Sequence, residues 1–347
     1  VQAAILACFI VNQLSLWFFF ILGSLLLSRC GLSLYLSSIL LTVAMIINVP
    51  ILRNTVYIQV NLLLMDFILA GVLLFKRNKM VSALSFALGA HLKVVPIFFL
   101  PVFLYTKKYS WLMYFFSTAL AIILLTTLID GGSYYIDFIN NLGRWHTPAL
   151  RSGSVYSLLV NTNRYLGTNL PVQLISTSVK SVLILWLYFL SFRSIQRRIF
   201  MRSEKTASDK VINGIIPLLF LMPVVSPTIW VHHLVVLIIP AILLFVRLES
   251  PRYLFFFAIG YFCTFLLPVF DWYPWSYLRL CGWMILLGLL SYVILNPVVP
   301  RWVQVLDGKL NLLVHDMVKE WNVADTLVVA NKRVESHPMK EPDVALK

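Results

Sequence analysis

Apolar residues in this chain come in long unbroken blocks, not in alternation with polar ones. The blocks lie at about residues 5–28, 32–49, 56–75, 111–129, 172–192, 212–229, 231–246, 253–270 and 276–296. Most approach the roughly 20 residues that a helix needs to cross a hydrocarbon core. A barrel strand would instead show a polar residue at every second position. The pattern predicts an all-α, polytopic integral membrane protein with about nine spans. The sequence has no internal repeat and no low-complexity stretch.

One further apolar block, residues 81–104, is interrupted by Lys93 and Pro96. Loop charge decides how to read it. If the block crosses the membrane, KRNK (76–79) lies opposite both Lys107-Lys108 and the six basic residues from Arg193 to Lys210. If it dips in and returns, Arg29, KRNK, Lys107, Lys108, the 193–210 loop, Arg247 and Arg252 share one face. That arrangement puts fourteen basic residues on one side and leaves five on the other: Arg53, Arg144, Arg151, Arg164 and Arg279. Cytoplasmic loops concentrate Lys and Arg, so the second arrangement is preferred. Residues 81–104 are read as a re-entrant helical hairpin entered from the cytoplasm. Pro96, which removes a donor and clashes with the preceding turn, marks the bend. An arm of about twelve residues reaches about 18 Å, which carries its tip past the midplane.

Composition agrees with this class. Hydrophobic residues make up 60% and charged residues 12%, about half the charge that a soluble domain carries. The net charge of +14 does not imply a nucleic-acid partner. Residues 301–347 hold seven basic and seven acidic residues, so all the excess lies in residues 1–300, mostly in short loops. Such loops orient a chain and face anionic membrane lipids. The domain organisation expected is a membrane domain over 1–300, with an external loop at 130–170, and a cytoplasmic tail over 301–347. The tail opens with apolar residues at helical spacing, as in an interfacial helix. Cys8, Cys30, Cys263 and Cys281 show neither CxxC nor Cys/His spacing, so they indicate packing and no metal. The first residue, Val1, opens directly in apolar sequence, which reads as a fragment lacking its own N-terminus.

Three stretches carry candidate chemistry. In GAHLKVVPIFFLP (89–101), Lys93 with His91 nearby sits at membrane depth, where an ammonium is costly and usually lines a pathway or meets a ligand. In MPVVSPTIWVHHLVVLIIP (222–240), a Ser-Pro turn precedes Trp230, His232 and His233. These imidazoles suit hydrogen bonding, proton shuttling or a phosphate clamp, or with Trp230 a headgroup belt. Adjacent histidines diverge by about 100° on a helix, so one at most faces a site. In VYIQVNLLLMD (56–66), Gln59 and Asn61 offer amides suited to hydroxyl-rich ligands, or to helix–helix hydrogen bonds. Asp66, deeper, is either paired with a buried cation or a buried neutral acid. The loop 130–170 adds Asp130, Asp137, Arg144 and Arg151 among aromatic residues.

These stretches, in this order, resemble the integral-membrane mannosyltransferases of glycosyltransferase family 87, the polyprenol-phosphate-mannose-dependent α-1,2-mannosyltransferase group of the GT-C class. The matches are QVN (59–61), KRNK (76–79), KVVPIFFLP (93–101) and SPTIWVHH (226–233), with a looser likeness at SGSVYSLL (152–159). They cover about residues 40–295. Two positions depart from the family pattern: Ile58 stands for its Gly, and Ser152-Gly153 for its Asn-Gln. The resemblance implies a polyprenyl-phosphate sugar as donor, a glycolipid or polysaccharide hydroxyl as acceptor, and a multi-pass cell-membrane location. It calls for no cofactor beyond the lipid-linked donor and no nucleotide, and it assigns no metal-ligating residue. It assigns Lys93, His232 and His91 to the donor phosphate, and Gln59, Asn61, Trp230, His233 and Arg144 to substrate positioning. The family's catalytic carboxylate lies in a first external loop, and nothing acidic precedes Asp66 here. The base is therefore expected upstream of Val1, which would leave this fragment inactive by itself, with Asp137 and Asp271 as fallbacks. The rival reading is a membrane transporter or lipid-linked sugar flippase, which would favour matched broken helices in two repeats. A purely structural membrane subunit is a third, set against the two polar clusters.

Overall fold

The computed structural model describes residues 2–142, 153–201, 207–226, 229–268, 273–297, 305–306, 308–312 and 314. Among these every regular element is helical. The chain divides into two units, Val1–Pro300 and Arg301–Lys347; in the second, the described residues between 305 and 314 are helical.

The first unit begins with α1 (Gln2–Arg29), α2 (Leu34–Ile46) and α3 (Val49–Val56). Ser33 Oγ accepts from Leu36 N and Asn48 Oδ1 from Ile51 N, so α2 and α3 each start on a side-chain cap. They are bent by 67° at the intervening break, where Pro50 opens α3. Next come α4 (Asn61–Leu74), α5 (Lys79–Leu92), a 3-10 segment (Val95–Phe99), α6 (Leu100–Tyr105) and α7 (Tyr109–Asp130). α8 (Ser133–Leu142), α9 (Val155–Leu166) and α10 (Val172–Arg197) follow. After α11 (Ala207–Leu218) and α12 (Leu221–Val225), a 3-10 segment (Val231–Leu237) runs into α13 (Ile238–Phe245). α14 (Pro251–Tyr261) continues as a π turn (Phe262–Leu266), and a 3-10 turn (Trp275–Tyr277) leads into α15 (Leu278–Leu295).

Among the described residues four continuous helices are long and apolar enough to cross a membrane, namely α1, α7, α10 and Trp275–Leu295, and a fifth span results if α2 and α3 count as one. The sequence pattern led to an expectation of about nine. The difference is physical. The remaining apolar blocks fold as shorter pieces joined at bends, at Pro217 inside α11, or through 3-10 turns. A 3-10 helix rises about 2.0 Å per residue, so residues 231–245 extend roughly 26 Å although α13 has only eight residues. Residues Ile238 to Leu244 are all buried, as expected for a helix apolar on every side. α1, α7 and α10 keep apolar side chains exposed, such as Trp17 on α1 and Leu128 on α7, whereas Trp275–Leu295 is more than half buried.

Loop contacts sort the unit into two ends. At one end Arg29 Nη1 donates to Leu73 O at the end of α4 (2.9 Å), and Arg247 Nη2 to Cys30 O just past α1 (3.3 Å). Arg197 donates to Leu295 O at the end of α15. Cations thus cap the carbonyl ends of neighbouring helices, where the dipole favours them. Lys79 Nζ donates to Ser110 Oγ (3.3 Å) at this same end. Partial burial, then the Lys79 and Lys210 charges, lower the Lys108 ammonium below the ordinary lysine value. The other end holds the Gly153 N–Ile229 O bond (3.0 Å) and the Asn161 Nδ2–Tyr277 OH bond.

Residues 79–108 therefore leave and return to the basic end. α4 and α5 run antiparallel: Ser82 Oγ donates to Gly71 O (2.6 Å), while Lys93, at the far end of α5, meets Asn61, the first residue of α4. Trp111 Nε1 donates to Ser82 Oγ (2.9 Å), and Phe86 packs among Phe99, Phe103 and Trp111. This cluster leaves no room at Gly71. An added Cβ would stand 2.5–2.6 Å from two Phe86 ring carbons and 3.2 Å from Ser82 O. Gly71→Ala is expected to cost about 1–3 kcal/mol, because the enclosed ring has nowhere to retreat. The check is a lower unfolding temperature of the purified protein.

Candidate functional site

The turn of the 81–104 segment falls at Lys93 itself, not at Pro96. α5 ends at Leu92, and Lys93 adopts an extended conformation (φ −153, ψ 140) as its C-cap, with its N–H bonded to Gly89 O. Pro96 lies in the first turn of the returning 3-10 segment, where its missing N–H leaves nothing unsatisfied. α5 has fourteen residues, so it extends about 20 Å from the basic end. The return arm has five 3-10 and six α residues, which cover roughly 19 Å because of the longer 3-10 rise. The two arms match in reach despite their unequal lengths.

Lys93 Nζ donates to Asn61 Oδ1 at 2.6 Å. Asn61 Nδ2 donates to Asn54 Oδ1 at 3.2 Å, and Asn54 Nδ2 to Asn12 Oδ1 at 3.1 Å. Asn12 Nδ2 ends the series on the Asn54 and Thr55 carbonyls, both at 3.4 Å. Asn12, Asn54 and Asn61 are all buried. An amide that donates on one side must present its oxygen on the other, so each asparagine fixes the flip of the next. The ladder from α1 through α3 to α4 thereby holds one acceptor toward the ammonium. No carboxylate pairs with Lys93 among the described residues.

His232 lies within electrostatic reach of Lys93, and its ring stands edge-on to Tyr57 (centroids 6.4 Å). Tyr57 is fixed by Arg53, whose Nη1 donates to Tyr57 OH at 2.7 Å. His233 is buried and packs edge-on to His232 (4.7 Å), and Trp230 is an exposed residue at the start of the 3-10 segment.

The other sequence candidates are placed as follows. Gln59 is outside the ladder, and its Nε2 donates to Tyr57 O (3.3 Å). His91 turns its Nδ1 to Ala87 O (2.8 Å) and its ring edge to Tyr135 of α8 (6.4 Å). Asp66 is buried with Ser15 as its polar neighbour, and among the described residues no cation pairs with it. Asp137 is exposed on α8. Arg144 and Asp271 lie outside the described residues. Ser154, in the stretch only loosely matched, caps α9, and Gly153 N bonds Ile229 O, which ties that stretch to the segment before His232. Asn12 and Asn54 were not singled out from sequence. For Asn12 the signal was an amide inside an apolar helix, a group that is stable there only when hydrogen-bonded; Asn54, between Arg53 and Thr55, carried none.

Lys93, Asn61 and His232 come from three separated stretches; Lys93 and Asn61 are hydrogen-bonded at the end of the bundle away from the basic loops, and His232 lies within electrostatic reach of Lys93. A model of glycosyltransferase family 87 matches residues 2–227, a range that contains the whole asparagine ladder and Lys93. The chain belongs to glycosyltransferase family 87. No curated protein and no solved structure matches it. Membership in family 87 makes the chain a glycosyltransferase by class, and its long apolar helices make it a membrane protein. A glycosyltransferase binds a sugar donor and an acceptor. An ammonium held by an amide, with no carboxylate against it among the described residues, is chemically able to take an anionic group.

Proposed function

We propose that this family 87 protein transfers a mannosyl, or more broadly a hexosyl, residue from a polyprenyl-phosphate sugar to a glycolipid or polysaccharide hydroxyl. The reaction takes place at the outer face of the cell membrane, in a GT-C-type, multi-pass helical domain. The observation that carries this reading is the Lys93 ammonium, held on Asn61 at the end of the bundle opposite the basic loops. If those loops face the cytoplasm, Lys93 stands toward the outer leaflet, at the level where a polyprenyl-phosphate keeps its headgroup.

In the transfer step the acceptor oxygen bonds to the sugar's anomeric carbon while the bond from that carbon to the phosphate oxygen breaks. The acceptor proton passes to a carboxylate base, and the polyprenyl phosphate leaves with the bonding electrons. Negative charge thus grows on the phosphate. Lys93, oriented in advance by the ladder, stabilises it without reorganising, and His232 adds a hydrogen bond. Nothing in this scheme requires a nucleotide site.

Two measurements test it. Membranes containing the full-length protein should transfer label from radiolabelled polyprenyl-phosphate-mannose, and absence of transfer with every acceptor preparation would remove the donor assignment. A membrane-impermeant amine reagent should reach Lys107 and Lys108 only after the cells are opened. Labelling of both from outside intact cells would show that 81–104 crosses the membrane, and would place Lys93 on the wrong side for an outer-leaflet donor.

A further inference from the structure

A second group of cations occupies the same end of the bundle, and the transfer scheme makes no use of it. Arg279 sits in the first turn of α15 and is only 8% exposed. Its Nη2 donates to Leu267 O, while its Nε is buried with no partner among the described residues. Its charged neighbour is another cation, Arg53 on α3, close enough to perturb it. Among the described residues no carboxylate lies against either guanidinium. Arg279 is also placed against the helix dipole, since the first turn of a helix favours anions. Two like charges, one buried and only partly hydrogen-bonded, at the positive end of a helix form an arrangement that an anion would relieve on every count.

We propose that Arg53 and Arg279 form a phosphate-binding subsite distinct from Lys93, which takes the phosphate group of a lipid. The guanidinium fork suits a tetrahedral oxyanion, and the free Arg279 Nε–H supplies the donor left over. Arg53 also holds Tyr57, which stands against His232. An anion bound at this subsite therefore lies beside the proposed donor site without sharing its ammonium.

The test is thermal unfolding of the full-length protein in neutral detergent, titrated with inorganic phosphate against chloride at matched ionic strength. It is run in a Lys93→Ala background, so a response cannot come from the proposed donor site. Phosphate should raise Tm in that background. Arg279→Gln or Arg53→Gln should raise the phosphate concentration needed by about tenfold or more, the effect of losing one charge-assisted contact. Arg279→Lys should retain part of the response. Without phosphate, Arg279→Gln should unfold no earlier than its parent, because a buried unpaired charge has been removed; a purely structural arginine predicts the reverse. An absent phosphate response, or unchanged titrations in both Gln variants, overturns the proposal. Farnesyl phosphate and dihexanoyl-phosphatidylglycerol then identify the source. Arg53-dependent stabilisation by the first indicates a polyprenyl phosphate, by the second a phospholipid headgroup. Stabilisation by both without regard to either arginine also overturns it. Loss of transfer in Lys93→Ala is read in a separate assay and leaves this titration unaffected.

Discussion

Lys93→Ala should lower sugar transfer by about 10²–10³-fold while the protein still folds and inserts in the membrane. The size follows from removing one preorganised charge that faces the developing phosphate anion. Asn61 Oδ1 loses its donor, at a cost of about 1–3 kcal/mol, and removing a half-buried ammonium offsets part of it, so the unfolding temperature should fall less than where an asparagine of the ladder is removed. Lys93→Arg should restore little. A guanidinium is planar and forked, whereas Asn61 Oδ1 offers a single acceptor to a compact ammonium. His232→Gln should show a smaller loss, because that imidazole contributes a hydrogen bond where Lys93 contributes a full charge. The measurement is the initial rate of label transfer on membranes matched for protein amount. A parental rate in Lys93→Ala would detach Lys93 from the donor phosphate.

The second large effect is on stability and reaches the site indirectly. Asn54 is fully buried and is both donor and acceptor in the middle of the ladder. Asn54→Ala strands Asn12 Oδ1 and Asn61 Nδ2. At about 1–3 kcal/mol for each buried group left unsatisfied, the expected loss is roughly 2–6 kcal/mol. Asn12→Ala should cost less, because its onward bonds to backbone carbonyls are long, at 3.4 Å. Transfer should fall with Asn54→Ala as well, because Asn61 is then free to flip and offer Lys93 an amide nitrogen. Thermal unfolding in detergent, run beside the transfer assay, separates the two effects. An Asn54→Ala protein that unfolds with the parent would show that the ladder is not a coupled network.

The long helices were readable in sequence because each is one continuous apolar run, whether it keeps most of its surface exposed, as α1, α7 and α10 do, or buries more than half of it, as Trp275–Leu295 does. A continuous helix with an exposed apolar surface needs an uninterrupted apolar run, so the blocks at 5–28, 111–129, 172–192 and 276–296 correspond to α1, α7, α10 and Trp275–Leu295. The central segments were readable only as apolar. Residues 231–245 are enclosed by other helices, and their backbone is free to tighten into a 3-10 turn that a lone span would not hold. Hydropathy carries no record of that choice. Pro96 was taken for the bend because proline interrupts helices, yet the extended conformation falls three residues earlier, at Lys93. There the side chain is drawn to Asn61, and Pro96 serves to open the returning turn.

Sequence by itself determined the helical membrane class, the basic loops, and the unusual presence of Lys93, Asn61 and His232 in apolar surroundings. It could do so because burial in lipid penalises polar groups strongly enough that each one left is conspicuous. Tertiary structure alone decided which of these groups meet. Gln59 and Asn61 are two residues apart, yet only Asn61 joins the ladder, whereas Asn12 and Asn54 join it from other helices. Hydrogen bonds act over about 3 Å, and only the packing of α1, α3, α4 and α5 brings residues so distant in the chain within that range.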